Sequence, residues 1–230
     1  MIIRQPRNME RRVLIANRGE IASRVAKACR ELGHVAIGIF TDNEPQGTHL
    51  QFCDEWIHLE GSTNAETYLN VDKLVAVAKE VKADGVHPGY GFLSENADFA
   101  NALKEAGIVF IGPHVEAIKV MGDKATSKKL ANEAGIPTVP GTDHAVPTVD
   151  EAVEISSRIG YPVLLKAVAG GGGRGMRACE NEQEVRDQFE AVGRESMAAF
   201  NNGDLLVEKL IVNPRHIEVQ ILADKKGNIF

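Results

Sequence analysis

The stretch RVLIANRGEIASRVAKACRELGHVAIGIF, residues 12–40, decides the fold. Its two ends, RVLIA (12–16) and VAIGIF (35–40), are short uninterrupted apolar runs, which predict buried strands. The apolar residues between them recur at helical spacing: Ile21, Val25, Cys29 and Leu32. Gly33 then supplies a helix C-cap. The stretch therefore predicts a strand, a helix and a second strand, which is the repeating unit of a parallel sheet.

The same alternation continues to about residue 111. Three further apolar runs predict strands, and two helical patterns separate them: WIHL (56–59), the helix VDKLVAVAKEV (71–81), GVHP (85–88), the helix SENADFANALKEAG (94–107) and IVFIG (108–112). Strands joined by crossover helices form a parallel sheet with helices on both faces. We therefore predict an α/β fold in which residues 1–111 form a doubly wound, Rossmann-like domain.

After this domain the pattern changes. Two helical stretches cover much of residues 112–139, and prolines then mark a linker. Residues 140–210 predict a small α+β domain with these elements: a helix at 148–160, the strands YPVLLKAV (161–168) and MRAC (176–179), a long helix within 181–199 and the strand LLVEKL (205–210). Residues 211–230 contain RHIEVQILAD, whose alternating Ile217, Val219 and Ile221 predict a half-buried strand, followed by the turn DKKGN and the start of a returning strand.

Composition restricts the possible functions. The chain has 230 residues, enough at ~100–200 residues per domain for one large domain or two small ones. Its net charge of −6 argues against the basic face that non-specific nucleic-acid binding needs. No run approaches the ~18 apolar residues of a membrane span, and the basic first dozen residues lack a secretory cleavage site. Three widely spaced cysteines and seven scattered histidines argue against a disulfide framework or a transition-metal site, and favour a cytoplasmic location.

The strongest local feature is GGGGRG, residues 170–175, directly after the predicted strand YPVLLKAV. Five glycines in six residues leave backbone N–H groups free to surround an anion, and Arg174 adds positive charge. A phosphate cradle is one interpretation, and a flexible surface hairpin is the other. The loop is not a dinucleotide fingerprint, because MRAC rather than a helix follows it, and it is not a Walker loop, because no Gly-Lys-Ser/Thr ends it.

Charged residues elsewhere in this half of the chain are candidates for phosphate binding. Lys166 interrupts an apolar run, and a buried lysine needs an anionic partner unless it reaches solvent at the strand end. Lys124 follows a candidate N-cap, Asp123, and a cation in a first helical turn is favoured only if an anion binds there. An exposed lysine without a role is the alternative. Glu208 and Lys209 close a strand, and by themselves they read as an ordinary ion pair.

The first strand-turn-helix unit raises the alternative of an NAD site. Its turn, Asn17-Arg18-Gly19-Glu20, has one glycine where a dinucleotide fingerprint has two or three, so a pyrophosphate could not approach closely. Asp42, near the end of the second strand, keeps the NAD alternative open. The segment HPGYGFLSEN (87–96) is a glycine-rich loop at the carboxyl edge, where open sheets bind ligands. A structural turn capped by Ser94 explains that segment equally well.

Five segments resemble, in order, the signature blocks of biotin carboxylases: ANRGEIASR, HPGYGFLSEN, VMGDK, GYPVLLKAVAGGGGRGMR and NPRHIEVQILAD. These are the ATP-grasp subunits or domains of acetyl-CoA, propionyl-CoA and pyruvate carboxylases. The resemblance covers nearly the whole chain from residue 11. It implies a pre-ATP-grasp domain to about residue 111, a helical linker over 112–139, an ATP-grasp lid over 140–210 and the beginning of a third subdomain over 211–230. One departure is Val168-Ala169, where the family often has Ser-Gly.

The resemblance also implies a reaction and its partners. The family uses ATP and Mg²⁺ to carboxylate biotin, held on a carrier protein, with bicarbonate by way of carboxyphosphate. Catalysis of this kind rests on positioning and on neutralising the charge of the phosphates. The implied protein partners are the biotin carrier, a carboxyltransferase and a second copy in a homodimer, while nucleic acid and membrane are not implied.

Matching motifs imply eight nucleotide-binding residues. Two lysines bind the ATP phosphates, two glycines form the lid over them, three residues line the adenine pocket partly through backbone groups, and a histidine lies by the nucleotide: Lys124 and Lys166; Gly172 and Gly173; Glu208, Lys209 and Ile211; and His216. The family's Mg²⁺-binding glutamates, bicarbonate-binding arginine and catalytic base have no match here, so we expect these 230 residues alone to bind ATP weakly, if at all, and not to carboxylate biotin. Two alternatives stay open: another ATP-grasp ligase, of the carbamoyl-phosphate or purine-pathway type, and a non-catalytic nucleotide-binding module.

Overall fold

The chain folds into two compact units, Met1–Asp123 and Lys124–Phe230. The structure is a computed structural model that describes residues 10–169, 175–224 and 226–230. Among these residues, no helix combines the length and the apolar character needed to cross a bilayer.

Unit 1, Met1–Asp123, is built on a five-stranded parallel sheet with the strand order β3-β2-β1-β4-β5. Its strands are β1 Arg12–Ile15, β2 Val35–Phe40, β3 Glu55–His58, β4 Gly85–His87 and β5 Val109–Phe110. Its helices are α1 Gly19–Glu31, α2 Val71–Glu80, α3 Ala97–Glu105 and α4 Val115–Gly122, with a short 3-10 helix at Thr48–Phe52. The predicted α/β fold with a parallel sheet is confirmed.

Strand β1 shows why the apolar runs of this unit are uninterrupted. Val13 and Ile15 pack in one buried cluster with residues of α1, whereas Leu14 packs in a second cluster with residues of α2 and α3. Because helices cover both faces of the sheet, neither alternate set of side chains meets water.

Two asparagines begin helices of this unit. Asn70 Oδ1 accepts a hydrogen bond from Lys73 N (3.0 Å) at the start of α2, and Asn96 Oδ1 accepts one from Phe99 N (2.8 Å) at the start of α3. The third helix was predicted to begin at residue 94, but it begins at Ala97, because its cap is Asn96 and not Ser94. Ser94 lies in the preceding turn, and the cap falls on the residue whose side chain reaches a free helical N–H.

Unit 2, Lys124–Phe230, contains a three-stranded antiparallel sheet with the order β7-β6-β8. Its elements are α5 Lys124–Glu133, α6 Val149–Ile159, β6 Val163–Ala167, β7 Met176–Cys179, α7 Glu182–Phe200 and β8 Leu205–Lys209. One face of the sheet packs on α6 and α7 and buries Val163, Leu165 and Val207 completely. The other face, which we call the open face, carries Leu164, Lys166 and Glu208, all partly buried, and Leu206, which is buried. This is the predicted α+β segment.

The segment that precedes α6 extends the sheet along the outer edge of β8. Thr142 N donates to Val207 O (2.9 Å), and Lys209 N donates to Pro140 O (2.8 Å). A Cβ atom on Gly141 would lie 2.5 Å from Val207 O, so the two backbones approach more closely than any other residue would permit.

The predicted half-buried strand within RHIEVQILAD is wrong. Ile217, Val219 and Ile221 are 79%, 80% and 65% exposed, and they belong to no strand. An alternating pattern forms a half-buried strand only where another layer covers its apolar face, and no described residue covers this one. The predicted turn after it is confirmed, because Asp224 N donates to Asn228 O (3.0 Å) and Ala223 bridges to Ile229.

Candidate nucleotide-binding site

The open face of the three-stranded sheet carries an ion pair. Lys166 Nζ lies 3.1 Å from Glu208 Oε2, and the two side chains are only 23% and 20% exposed. Their register explains the contact, because Lys166 pairs with Leu206 and Glu208 pairs with Leu164, which makes the two charged residues diagonal neighbours on one face. Lys166 thus has the anionic partner that its position in an apolar strand requires. Glu208 pairs with Lys166 and not, as its position in the sequence suggested, with its neighbour Lys209.

Met176 is a residue of this face that the sequence did not reveal. It pairs with Lys166 across β6 and β7, and its side chain is 39% exposed. Ala167 N donates to Gly175 O (2.7 Å), so the glycine-rich loop joins the two strands as a hairpin. Counting backwards from that hairpin would have placed Met176 opposite Lys166. Gly172 and Gly173 lie outside the described residues.

Lys209 directs its side chain away from this face. Its Nζ donates to Gly160 O (2.9 Å) and Tyr161 O (2.8 Å), at the end of α6. Leu210 N faces β6 and donates to Pro162 O (3.1 Å), whereas Lys209 N faces outward to Pro140. The carbonyl of a strand residue points to the same side as its N–H, so Lys209 C=O also faces outward. Among the described residues no donor binds that carbonyl.

No contact among the described side chains joins the remaining predicted site residues to the ion pair. Lys124 is the first residue of α5, as predicted, but its side chain is outside the described part of the structure. Ile211 lies two residues beyond Lys209 and is 49% exposed. The His216 side chain is 87% exposed with its Nε2 3.6 Å from Glu218 Oε2, and no described hydrogen bond or ion pair joins it to Lys166 or Glu208.

The described residues do not fit a metal ion. Between residue 10 and residue 230, leaving aside 170–174 and 225, no group of three or more histidine, cysteine, aspartate or glutamate side chains is arranged to hold one. The Mg²⁺ that the resemblance implies therefore has no ligand set here, and no chemical step is assigned to it.

The carboxyl edge of the sheet in unit 1 is occupied by its own side chains. Asn17 Nδ2 donates to Pro88 O (2.7 Å) and Tyr90 O (2.8 Å), where the strand order reverses between β1 and β4. Gly89 has φ +64°, and a Cβ there would lie 2.7 Å from Asn17 Nδ2. The crevice in which open sheets hold dinucleotides is thus closed by direct packing.

Asp42 is also engaged at this edge. Its two oxygens accept hydrogen bonds from His58 Nε2 (2.6 Å) and Gly61 N (2.9 Å). The hydrogen bond from His58, more than the one from Gly61, lowers the pKa of Asp42 below its usual value. Both carboxylate oxygens of Asp42 thus already have partners within unit 1, which weakens the NAD alternative.

Comparison with known proteins places this geometry in a family. Residues 9–118 match the family described as biotin carboxylase, N-terminal domain, and residues 123–230 match the ATP binding domain of the carbamoyl-phosphate synthase L chain. The chain is 52% identical over 221 residues to the 2-oxoglutarate carboxylase small subunit of Hydrogenobacter thermophilus, covering 96% of this chain and 47% of that subunit. The chain belongs to the biotin carboxylase family.

Solved structures agree with this assignment. The Hydrogenobacter thermophilus biotin carboxylase domain dimer, in complex with MgADP, ADP and bicarbonate, matches with a TM-score of 0.87 at 51% identity, over 96% of this chain and 49% of that one. The Campylobacter jejuni biotin carboxylase, in a complex with β-γ-ATP, matches with a TM-score of 0.88 at 43% identity, over 95% and 49%. The chain therefore spans just under half the length of these relatives.

Proposed function

We propose that this chain binds ATP on the open face of the β6–β8 sheet, as part of a biotin carboxylase that uses bicarbonate to carboxylate biotin on a carrier protein. The observation that carries the proposal is the partly buried Lys166–Glu208 pair, placed directly before a glycine-rich hairpin. The relatives whose structures hold MgADP and bicarbonate, or β-γ-ATP, support the same assignment.

The register of the sheet supports one orientation of the nucleotide along the strands. Glu208 lies opposite Leu164, and Lys166 is two residues further along β6 towards the glycine-rich hairpin. At ~3.4 Å per residue, Lys166 is therefore about 7 Å closer to the hairpin than Glu208 is. Phosphates therefore fit over Lys166, with Gly172 and Gly173 proposed as further phosphate-binding residues, because a triphosphate beside the Glu208 carboxylate would be repelled. The base then lies towards Glu208 and the end of β8.

In this arrangement each residue has a physical task. Lys166 neutralises phosphate charge, and Glu208 holds its ammonium in place when no nucleotide is bound. The outward carbonyl of Lys209 accepts a hydrogen bond from the amino group of adenine, and Ile211 supplies an exposed apolar side chain beside the base. We also propose that Lys124, at the start of α5, and His216 complete the nucleotide site.

The proposal is tested by the affinity for ATP of a full-length biotin carboxylase that contains this chain. Replacing Lys166 with methionine removes the ammonium and keeps the length of the side chain. A charge-assisted hydrogen bond contributes ~1.5–3 kcal/mol, so we expect Kd for ATP to rise about ten- to a hundredfold. Lys129→Met is the control, because Lys129 is 69% exposed and only 3.9 Å from Glu133 on the surface of α5. Equal affinity in wild type and the Lys166 variant would reject the proposed site.

The wider activity is proposed on the same basis. For a full-length biotin carboxylase that contains this chain, we expect bicarbonate-dependent ATP cleavage stimulated by biotin, a homodimer, and a carrier protein and carboxyltransferase as partners, in the cytoplasm. The three cysteines, all unpaired and buried, fit a reducing compartment. We keep the division into 1–111, 112–139, 140–210 and 211–230 as a proposal about how these parts act.

A second candidate is a ligase of the carbamoyl-phosphate type. It is favoured by one observation, the match of residues 123–230 to the carbamoyl-phosphate synthase ATP binding domain. The match of residues 9–118 to a biotin carboxylase domain favours the first candidate. Stimulation of ATP turnover by ammonia and not by biotin would select the second.

A further inference from the structure

Lys209 is anchored on the packed side of the sheet. Its ammonium donates to two successive carbonyls, Gly160 O at 2.9 Å and Tyr161 O at 2.8 Å. Gly160 is the C-cap of α6, so the ammonium also lies at the negative end of that helix. Hydrogen bonds that involve a charged donor are stronger than those between neutral groups. The contact is therefore a firm attachment between the end of β8 and the turn that leads into β6.

The backbone around Lys209 is held from two further directions. Lys209 N donates to Pro140 O (2.8 Å), and Leu210 N donates to Pro162 O (3.1 Å). The outward carbonyl of Lys209 has no donor among the described residues. A carbonyl that recognises a ligand must be free to accept a hydrogen bond and must be held rigidly, since hydrogen bonds weaken steeply when their geometry is displaced. The Lys209 carbonyl meets both conditions.

We propose that Lys209 is a positioning residue, whose side chain fixes its own carbonyl where it reads the amino group of the nucleotide base. This inference rests on the proposed nucleotide site and adds to it a role for a side chain that does not touch the nucleotide. Without the ammonium, the end of β8 keeps its ladder with β6 but loses its attachment to Gly160 and Tyr161. The carbonyl then moves, and recognition of the base suffers more than binding of the phosphates.

The test compares two nucleotides in a full-length protein that contains this chain. ATP carries a 6-amino donor, whereas ITP carries a 6-oxo acceptor that a carbonyl repels, so wild type should bind ATP more tightly. In Lys209→Met we expect Kd for ATP to rise about tenfold while Kd for ITP changes little, so that the preference for ATP falls by the same factor. Lys209→Arg keeps a cation within reach of the two carbonyls and should restore most of the preference.

A control variant distinguishes the positioning role of Lys209 from the general effect of losing a lysine that binds a backbone carbonyl. Lys73 Nζ also donates to a backbone carbonyl, Glu60 O at 2.6 Å, but in unit 1. Lys73→Met should leave the affinities for both nucleotides unchanged. The inference is overturned if Lys209→Met weakens ATP and ITP equally, if it weakens neither, or if wild type does not distinguish them. If wild type binds no nucleotide at all, the proposed function itself fails and takes this inference with it.

Discussion

The sequence around Lys166 predicts that this residue has a partner of opposite charge, but not which residue that partner is. A lysine inside an apolar run indicated a partner of opposite charge, and a partner exists. That partner, Glu208, lies 42 residues away, and the contact depends on the register of β6 with β8. No local pattern sets that register, so the sequence predicted both residues as members of a nucleotide site without predicting their ion pair. Met176 was missed for the same reason.

His144 offers a prediction at the same scale. Its ring lies 2.8 Å from Asp143 Oδ1 and 3.5 Å from Glu151 Oε1, and these two hydrogen bonds, the one to Asp143 first, raise the pKa of His144 above 6.5. A raised folded-state pKa stabilises the protein fully below the unfolded value of 6.5, and that contribution is lost as pH rises through the folded value.

We therefore expect His144→Gln to lower the free energy of unfolding at about pH 6 and to leave it unchanged at about pH 9. The side chain is 62% exposed, so solvent screening limits the loss to about 0.5 kcal/mol. Urea unfolding at the two pH values measures the difference. A loss of the same size at both would show that the charge of His144 is not responsible.

At the scale of the elements, hydrophobic periodicity predicted the strands and helices of the parallel sheet correctly. It failed for a segment whose apolar side chains no other described element covers. Strand β1 and helix α1 were predicted because apolar spacing alone determines which faces are buried. The segment around Ile217 and Val219 has an equally regular pattern, but its apolar side chains are exposed. The start of α3 was misplaced because Ser94 and Asn96 are both good caps, and only the backbone conformation decides between them.

The two faces of β6 give a prediction about this sheet. Leu165 is completely buried against α6 and α7, whereas its neighbour Leu164 points to the open face and is only partly buried. Truncating a buried leucine costs about 2–5 kcal/mol. We expect Leu165→Ala to lose that much stability and Leu164→Ala to lose clearly less. Denaturant unfolding of the two variants checks the assignment of faces, and a larger loss for the Leu164 variant would reverse it.

At the scale of the whole molecule, the order of the motifs carried more information than any one of them. The change from a parallel α/β pattern to an α+β pattern predicted the two kinds of sheet, and the five signature blocks predicted the family. The loops at the carboxyl edge of unit 1 remained ambiguous, because Asn17 and Gly89 belong to segments about 70 residues apart in sequence. Their direct packing, which closes the dinucleotide crevice, is visible only in three dimensions.

We expect nucleotide to bind in unit 2, at the end of β8, and not at the carboxyl edge of the parallel sheet. Hydrogen exchange of a full-length protein that contains this chain, with and without ATP, tests this directly, because a bound base and its contacts slow the exchange of nearby amides. We predict slower exchange with ATP in peptides covering residues 205–212 and no change in peptides covering 16–20 and 87–96. Slower exchange at 16–20 and 87–96, with none at 205–212, would contradict the account.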